Sequence, residues 1–179
     1  MRVKKKAPVR RSVQVEVEVP GSTQSAAERR AAEAELRTLI DQFAPTHLRL
    51  IVAMRRSLRK RLPTAHEVVY EYRAWFVISY SPNERGYEGV LGIHASADGV
   101  KLFFNRCKEL PDPAKLLQGS GSQCRSIDLA GASTLARPEV ARLIDEAIAR
   151  NPVPFARAGR GSVVIRSTSA KQRQRSRPA

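Results

Sequence analysis

The chain has 179 residues, with 32 Lys and Arg against 17 Asp and Glu, so its formal net charge is +15. This length suits a single domain with tails. The hydrophobic share of 42% and the two cysteines exclude a wholly disordered chain and a disulfide scaffold. No apolar run approaches the roughly 20 residues of a membrane span, and the basic start lacks the apolar stretch of a secretory signal. The sequence therefore predicts a cytoplasmic protein.

The positive charge is concentrated at the two ends of the chain. Residues 1–12 contain six cations and residues 155–179 contain seven, and neither segment contains an acid. We predict a basic N-terminal arm at 1–12, one domain at 13–154 and a basic, disordered tail at 155–179. One interpretation is that these ends attract RNA or DNA without recognising its sequence. The other is that they only keep the protein soluble, and both interpretations stay open. The predicted nucleic-acid or anion contacts in these ends are Arg10, Arg11, Lys171, Arg173 and Arg175.

The first half of the chain predicts one strand and two helices. Residues 13–19 alternate valine with polar residues, which is typical of a strand with one buried face. Ser25 and Glu28 form a capping-box pattern that opens a helix, which Pro45 ends. A second helix is predicted over residues 46–62, with one apolar stripe at Leu48, Ile51, Met54, Leu58 and Leu62.

Five of the seven residues at 55–61 are basic. They suit the negative end of the helix dipole and a solvated face. The alternative is a small anion-binding patch on the folded domain, formed by Arg56, Arg59 and Lys60.

The second half predicts strands at 66–72, 74–80, 87–94, 100–104 and 124–129, followed by a helix at 137–149. Residues 113–117 are expected to form one helical turn, and the β-prone run at 163–165 to pair with the strand at 13–19. Because short turns join successive strands, the sheet should be antiparallel. The prediction is an α+β fold, with an antiparallel meander sheet of four to six strands and helices packed on one face.

Few motifs carry chemistry. The three histidines and two cysteines have no metal-site spacing, so neither a metal nor a cofactor is predicted. Buried, unreactive thiols are favoured at Cys107 and Cys124, although neighbouring cations leave a reactive thiol open. The glycine-rich run at 119–122 favours a turn over an anion cradle. Glu67 is expected to pair with a sheet cation, and the candidates are Arg73, Lys101 and Arg125.

An ordered set of residues between 36 and 148 resembles the YdhG-like family of small, largely uncharacterised bacterial domains. The resemblance includes the Pro-x-Ala-x-Glu-x-Val-Tyr segment at residues 63–70, the Leu-Pro-Asp-Pro run at 110–113 and Gly119-x-Gly121. It implies helices on an antiparallel sheet with a shape related to frataxin. One branch of that family is described as a frataxin-like iron chaperone, which relies on an acidic surface. This chain departs from that pattern because it is strongly basic, and Cys107 stands where a small residue such as glycine is expected.

Together these patterns favour a non-enzymatic binding module whose basic tails give general affinity for anions or nucleic acid. The alternatives are an iron-binding chaperone and an enzyme acting on a small anionic metabolite. No catalytic residue is assigned. The ligand is expected to contact one strand–loop region formed by Glu67, Tyr70, Lys101, Asp112, Gly119, Gly121 and Arg125.

Overall fold

The computed structural model describes residues 22–167 as three α-helices and a six-stranded sheet. The helices are α1 (Ala26–Ile40), α2 (Pro45–Arg61) and α3 (Pro138–Ala149). The strands are β1 (His66–Glu71), β2 (Trp75–Ser81), β3 (Leu91–Ser96), β4 (Gly99–Asn105), β5 (Cys124–Asp128) and β6 (Val163–Ser167). The predicted α+β class is confirmed. None of the helices in this part of the chain is long and apolar enough to cross a membrane.

The sheet has the strand order β5-β4-β3-β2-β1-β6. Strands β1 to β5 form an antiparallel meander, as predicted. The exception is β6, which runs parallel to β1, with Glu67 opposite Val163 and Glu71 opposite Ser167. A parallel neighbour requires a long crossover, and the chain between β1 and β6 supplies it by passing through four strands and α3.

One prediction about the ends of the domain needs correction. The domain does not stop at residue 154, because β6 adds a strand to the sheet and Val163 is only 1% exposed. The run at 163–165 is a strand, and within the described residues it pairs with β1. Its expected pairing with residues 13–19 stays a prediction. The predicted strand at 13–19 lies outside the described residues.

The helix boundaries follow local chemistry. The predicted capping box opens α1: Ser25 Oγ accepts from the Glu28 amide at 3.2 Å, and the Glu28 carboxylate accepts from the Ser25 amide at 2.8 Å. Pro45 is the first residue of α2, where its missing N–H costs no hydrogen bond.

One expected helical turn, at 113–117, is absent from the structure. Asp112 instead accepts hydrogen bonds from the amides of Leu116 and Leu117 at 3.0 and 2.8 Å, and Lys115 adopts a positive φ of 52°. Two short 3-10 helices that the sequence pattern did not predict occur at Cys107–Glu109 and Ala132–Ala136.

The core lies between the helices and one face of the sheet. Strand β4 alternates buried and partly exposed residues, so Val100, Leu102 and Phe104 face the helices and Lys101 and Phe103 face away. The largest side chains that are fully buried in this layer include Leu36, Ile51, Met54, Leu58, Ile78, Tyr80, Leu91, Ile93, Leu102 and Phe104. The opposite face of the sheet carries no helix of the described chain.

Candidate functional site: a cationic cleft beside a buried ion cluster

The structure does not bring the predicted strand–loop site together. Glu67 lies on β1 and Arg125 lies on β5, with three strands between them. Neighbouring strands are roughly 4.8 Å apart, so the two backbones are separated by about 19 Å. A single ligand pocket lined by both side chains, which the enzyme hypothesis requires, is therefore not formed.

Two of the other predicted residues lie on the face of the sheet away from the helices. The Tyr70 hydroxyl donates to the Arg85 carbonyl at 3.5 Å, in the loop between β2 and β3. The Lys101 ammonium pairs with the Asp128 carboxylate at 3.0 Å. Glu67 points to the opposite face, so Tyr70 and Lys101 cannot share a ligand with it.

The remaining predicted residues lie together and organise the loop before β5. The carboxylate of Asp112 is occupied by two backbone amides, and Arg125 Nε donates to the Gly121 carbonyl at 2.9 Å. Gly119 has a φ of +100°, and a Cβ at Gly121 would lie 2.6 Å from the Cys124 carbonyl oxygen. The polar atoms of these residues bind the backbone of the loop. Their role in the structure is therefore to fix the path of the loop.

Glu67 is the centre of a buried ion cluster between α2 and the sheet. Arg55 donates to both of its carboxylate oxygens, at 2.9 and 2.7 Å, and the Tyr80 hydroxyl donates to one of them at 3.0 Å. The side chains of Arg55 and Glu67 are 14% and 3% exposed. The expected pairing with Arg73, Lys101 or Arg125 is wrong, because Glu67 faces the helices and the cation comes from α2.

The cluster extends outward to Glu33 on α1, which accepts from Arg55 at 2.8 Å and from Arg59 at 2.9 Å. Burial opposes ionisation of Glu33, but the two guanidinium groups outweigh it and lower the pKa of its carboxyl. Burial and the nearby Glu67 raise the pKa of the Tyr80 hydroxyl, so that hydroxyl stays a donor at neutral pH. The cluster thus has its two carboxylates fully engaged by arginines.

Two adjoining grooves open outward from this cluster, with volumes of about 300 and 460 Å³. They share Arg59 and Arg160. We call them the cationic cleft, and its positively charged lining consists of Arg29, Arg55, Arg56, Arg59, Lys60 and Arg160. Among the residues that the structure describes, the only carboxylate that lines either groove is that of Glu67, already bound by Arg55. The cleft therefore has an excess of positive charge.

Arg29 shows how strongly this charge is concentrated. Both of its terminal nitrogens donate to the Gly161 carbonyl, at 2.6 and 2.7 Å. Its Nε is buried and has no hydrogen-bond partner within the part of the chain that the structure describes. Burial, together with repulsion from Arg160 and Arg59, lowers the pKa of the guanidinium. An anion in the cleft would relieve this repulsion.

The structure brings together only part of the predicted anion-binding set. Arg56, Arg59 and Lys60 line the cleft. Arg10, Arg11, Lys171, Arg173 and Arg175 lie outside the described residues. Arg29 and Arg160 were not predicted, because each reaches the cleft from a distant part of the chain. The position of Arg55 offered a signal: it lies four residues after Ile51 and three before Leu58, on the buried side of α2.

Ser162, His66 and Glu84 form a Ser–His–Glu arrangement, but its hydrogen bonds do not prepare a nucleophile. Ser162 Oγ is 2.6 Å from His66 Nδ1 and donates to the Glu84 carboxylate at 2.6 Å. His66 Nδ1 also accepts from the backbone amide of Ser162 at 3.2 Å. The ring nitrogen is therefore occupied by the backbone, while the carboxylate holds the serine instead of orienting the histidine.

Neither cysteine has the features of a reactive thiol. Cys107 is buried, as predicted, whereas Cys124 is exposed, so the prediction of a buried thiol at Cys124 is wrong. Desolvation raises the pKa of both thiols, which disfavours the nucleophilic thiolate. Cys107 Sγ donates to the Phe104 carbonyl at 2.9 Å and accepts from the Arg125 amide at 3.1 Å. Within residues 22–167, no group of three or more histidine, cysteine or acidic side chains could hold a metal ion.

Comparison with known proteins adds no relative. No family model, no curated protein and no solved structure matches this chain.

Proposed function

We propose that this protein is a non-enzymatic, cytoplasmic binding domain of the YdhG-like type, and that its ligand is a small phosphate-bearing anion held in the cationic cleft. The observation that carries the proposal is the composition of the cleft: its described lining has six cations and a single carboxylate, which Arg55 and Tyr80 already bind. Guanidinium groups suit phosphate because their planar donors match its oxygens in pairs.

The shape of the cleft supports a compact ligand. Its two grooves are formed by α1, α2 and the loop at residues 159–161, and they meet at Arg59 and Arg160. A di- or triphosphate would span cations from both grooves at once. Arg29 at one side is partly buried, so less water has to be removed from it when an anion binds.

The cleft cations divide into structural and free ones. Arg55 and Arg59 hold Glu33 and Glu67, so they fix the floor. Arg56 and Lys60 are exposed and lie on the same groove. Replacing these two by glutamine removes anion contacts without disturbing the buried cluster.

The test is a calorimetric titration of the full chain with inorganic tripolyphosphate. The Arg56→Gln/Lys60→Gln variant should bind about thirtyfold more weakly, because it loses two charge-assisted contacts of roughly 1 kcal/mol each. The control variant Arg49→Gln/Arg142→Gln removes the same charge from exposed positions outside the cleft and should bind like the wild type. Equal weakening in both variants would show that only net charge matters.

General affinity for RNA or DNA is proposed for the basic ends, on the charge of their sequence alone. Removing everything after residue 154 would also delete β6, so truncation there is a poor test. Replacing Lys171, Arg173 and Arg175 by glutamine leaves the sheet intact. This variant should lose salt-dependent affinity for a random RNA while it keeps tripolyphosphate binding.

A further inference from the structure

The larger groove of the cationic cleft, of about 460 Å³, contains apolar surface that a bare phosphate does not use. Val52 on α2 and Ile40 at the end of α1 line it beside the cations. Val52 is 50% exposed, and only one other large apolar side chain in the described part of the chain, that of Tyr87, is exposed. A single exposed valine on a surface is ordinary. This one shares a concave surface with a second apolar side chain from another helix, so the groove has an apolar wall.

Helical spacing connects this apolar wall to the positive charge of the cleft. Four cations follow Val52 along α2 at three, four, seven and eight residues, and these are Arg55, Arg56, Arg59 and Lys60. Residues at these spacings share one side of a helix. With a rise of 1.5 Å per residue, Val52 and Arg59 are about 10 Å apart along the helix axis. A ligand that contacts both ends of this stripe must be extended, with an apolar group at one end and negative charge at the other.

The side chain next to Val52 indicates the shape of the apolar group. Arg56 lies one helical turn after Val52 and is exposed. A guanidinium group is planar and stacks on aromatic rings, while valine methyl groups pack against the face of a ring. Val52 and Arg56 together therefore suit a flat aromatic group.

The other end of the stripe suits phosphate. Lys60 lies two turns after Val52 and is exposed, and Arg160 is an exposed side chain that lines both grooves. Arg59, which also lines both grooves, carries part of its charge toward Glu33. Lys60 and Arg160 are thus the exposed cations at the point where the two grooves meet.

We propose that the cationic cleft binds a nucleoside polyphosphate, with the base against Val52 and Arg56 and the phosphates near Lys60 and Arg160. This inference rests on the proposed function, because the phosphates use the cations assigned there. A bare polyphosphate would leave the apolar wall in contact with water. A lipid acyl chain would need a wider apolar patch than two side chains provide. A nucleoside polyphosphate matches both the apolar and the charged part of the groove.

The test compares two triphosphate esters by calorimetric titration of the full chain without divalent metal. Adenosine triphosphate and ribose 5-triphosphate carry the same triphosphate group, but only the first has a base. Adenosine triphosphate should bind about tenfold more tightly, because stacking of the base adds to the phosphate contacts. Tripolyphosphate, titrated in parallel, reports on the phosphate contacts alone.

The Val52→Asn variant should bind adenosine triphosphate about fivefold more weakly, because the base no longer covers an apolar side chain. Its affinity for ribose 5-triphosphate and tripolyphosphate should stay the same. The control Tyr87→Asn removes the other exposed apolar side chain, which does not line the cleft, and should bind all three compounds like the wild type.

A measurement on the wild type makes the test independent of any variant. The methyl resonances of Val52 should shift on addition of adenosine triphosphate, because the ring current of the base acts on them, and should shift far less with ribose 5-triphosphate.

Equal affinity of the wild type for adenosine triphosphate and ribose 5-triphosphate would overturn this inference. So would a Val52→Asn variant that binds adenosine triphosphate like the wild type, or Val52 methyl resonances that respond equally to the two esters. In each of these cases saturable binding of tripolyphosphate would leave the proposed function standing. A wild type that binds none of the three compounds would refute the proposed function as well.

Discussion

Replacing Glu67 by glutamine tests the buried ion cluster that forms the floor of the cleft. The substitution removes the charge that Arg55 contacts with two hydrogen bonds, and the Arg55 side chain is only 14% exposed. Removing one partner of a buried pair costs about 3–5 kcal/mol, because an uncompensated charge stays behind. Glu33 still contacts Arg55 at 2.8 Å, so we expect the lower end, about 3 kcal/mol.

Urea denaturation of the full chain measures this loss directly, and a thermal scan should show a midpoint about 6–12 °C lower. Glu33→Gln is the matched control. Its side chain is 29% exposed, so the same chemical change should cost only about 1 kcal/mol.

The double variant Arg55→Met/Glu67→Gln tests whether the cost comes from the unpaired charge. If it does, removing Arg55 as well should recover part of the stability lost in Glu67→Gln. A loss of less than about 1 kcal/mol in Glu67→Gln would contradict this prediction. So would a double variant whose loss equals the sum of the losses in Glu67→Gln and Arg55→Met.

Two further predictions concern backbone packing and pH. Gly161→Ala should destabilise the domain by more than about 2 kcal/mol in urea denaturation, because its Cβ would lie 1.8 Å from a carbonyl oxygen just before β1. The control is Gly131→Ala, whose Cβ meets no atom within 3.6 Å and which should therefore cost far less. Equal losses of stability in the two variants would contradict this prediction. Burial lowers the pKa of His66 and of His94, so the folded state favours their neutral forms. The free energy of unfolding should therefore fall as the pH drops below about 6.5. A free energy of unfolding that stays constant between about pH 7 and 5 would contradict this prediction.

Much of the fold could be predicted from the sequence, because local residue patterns determine where its helices and strands form. The apolar stripe of α2, the capping box of α1 and the predicted strand at 100–104 each correspond to an observed element. The position of β6 in the sheet could not be predicted from the sequence. Its valines indicate a strand, but the choice of β1 as a parallel partner depends on the path of the whole chain between them.

The site was harder to predict than the fold, because its residues meet only in three dimensions. Seven residues chosen for chemistry were assigned to one cleft, whereas the sheet distributes them over two faces and both sides of the meander. Arg29 and Arg160 are 131 positions apart in the chain and both line the cleft. A single sequence contains no periodic signal for such a pair. The resemblance to the YdhG-like family stays a prediction.

The central claim is that the folded domain, and not only its basic ends, binds a phosphate-bearing anion. An amide NMR titration of the full chain with tripolyphosphate tests it most directly, because one spectrum reports on every segment. We predict saturable shifts at residues 56–60 and 159–161, with a common dissociation constant. Shifts confined to residues 1–12 and 168–179, growing without saturation, would contradict the account.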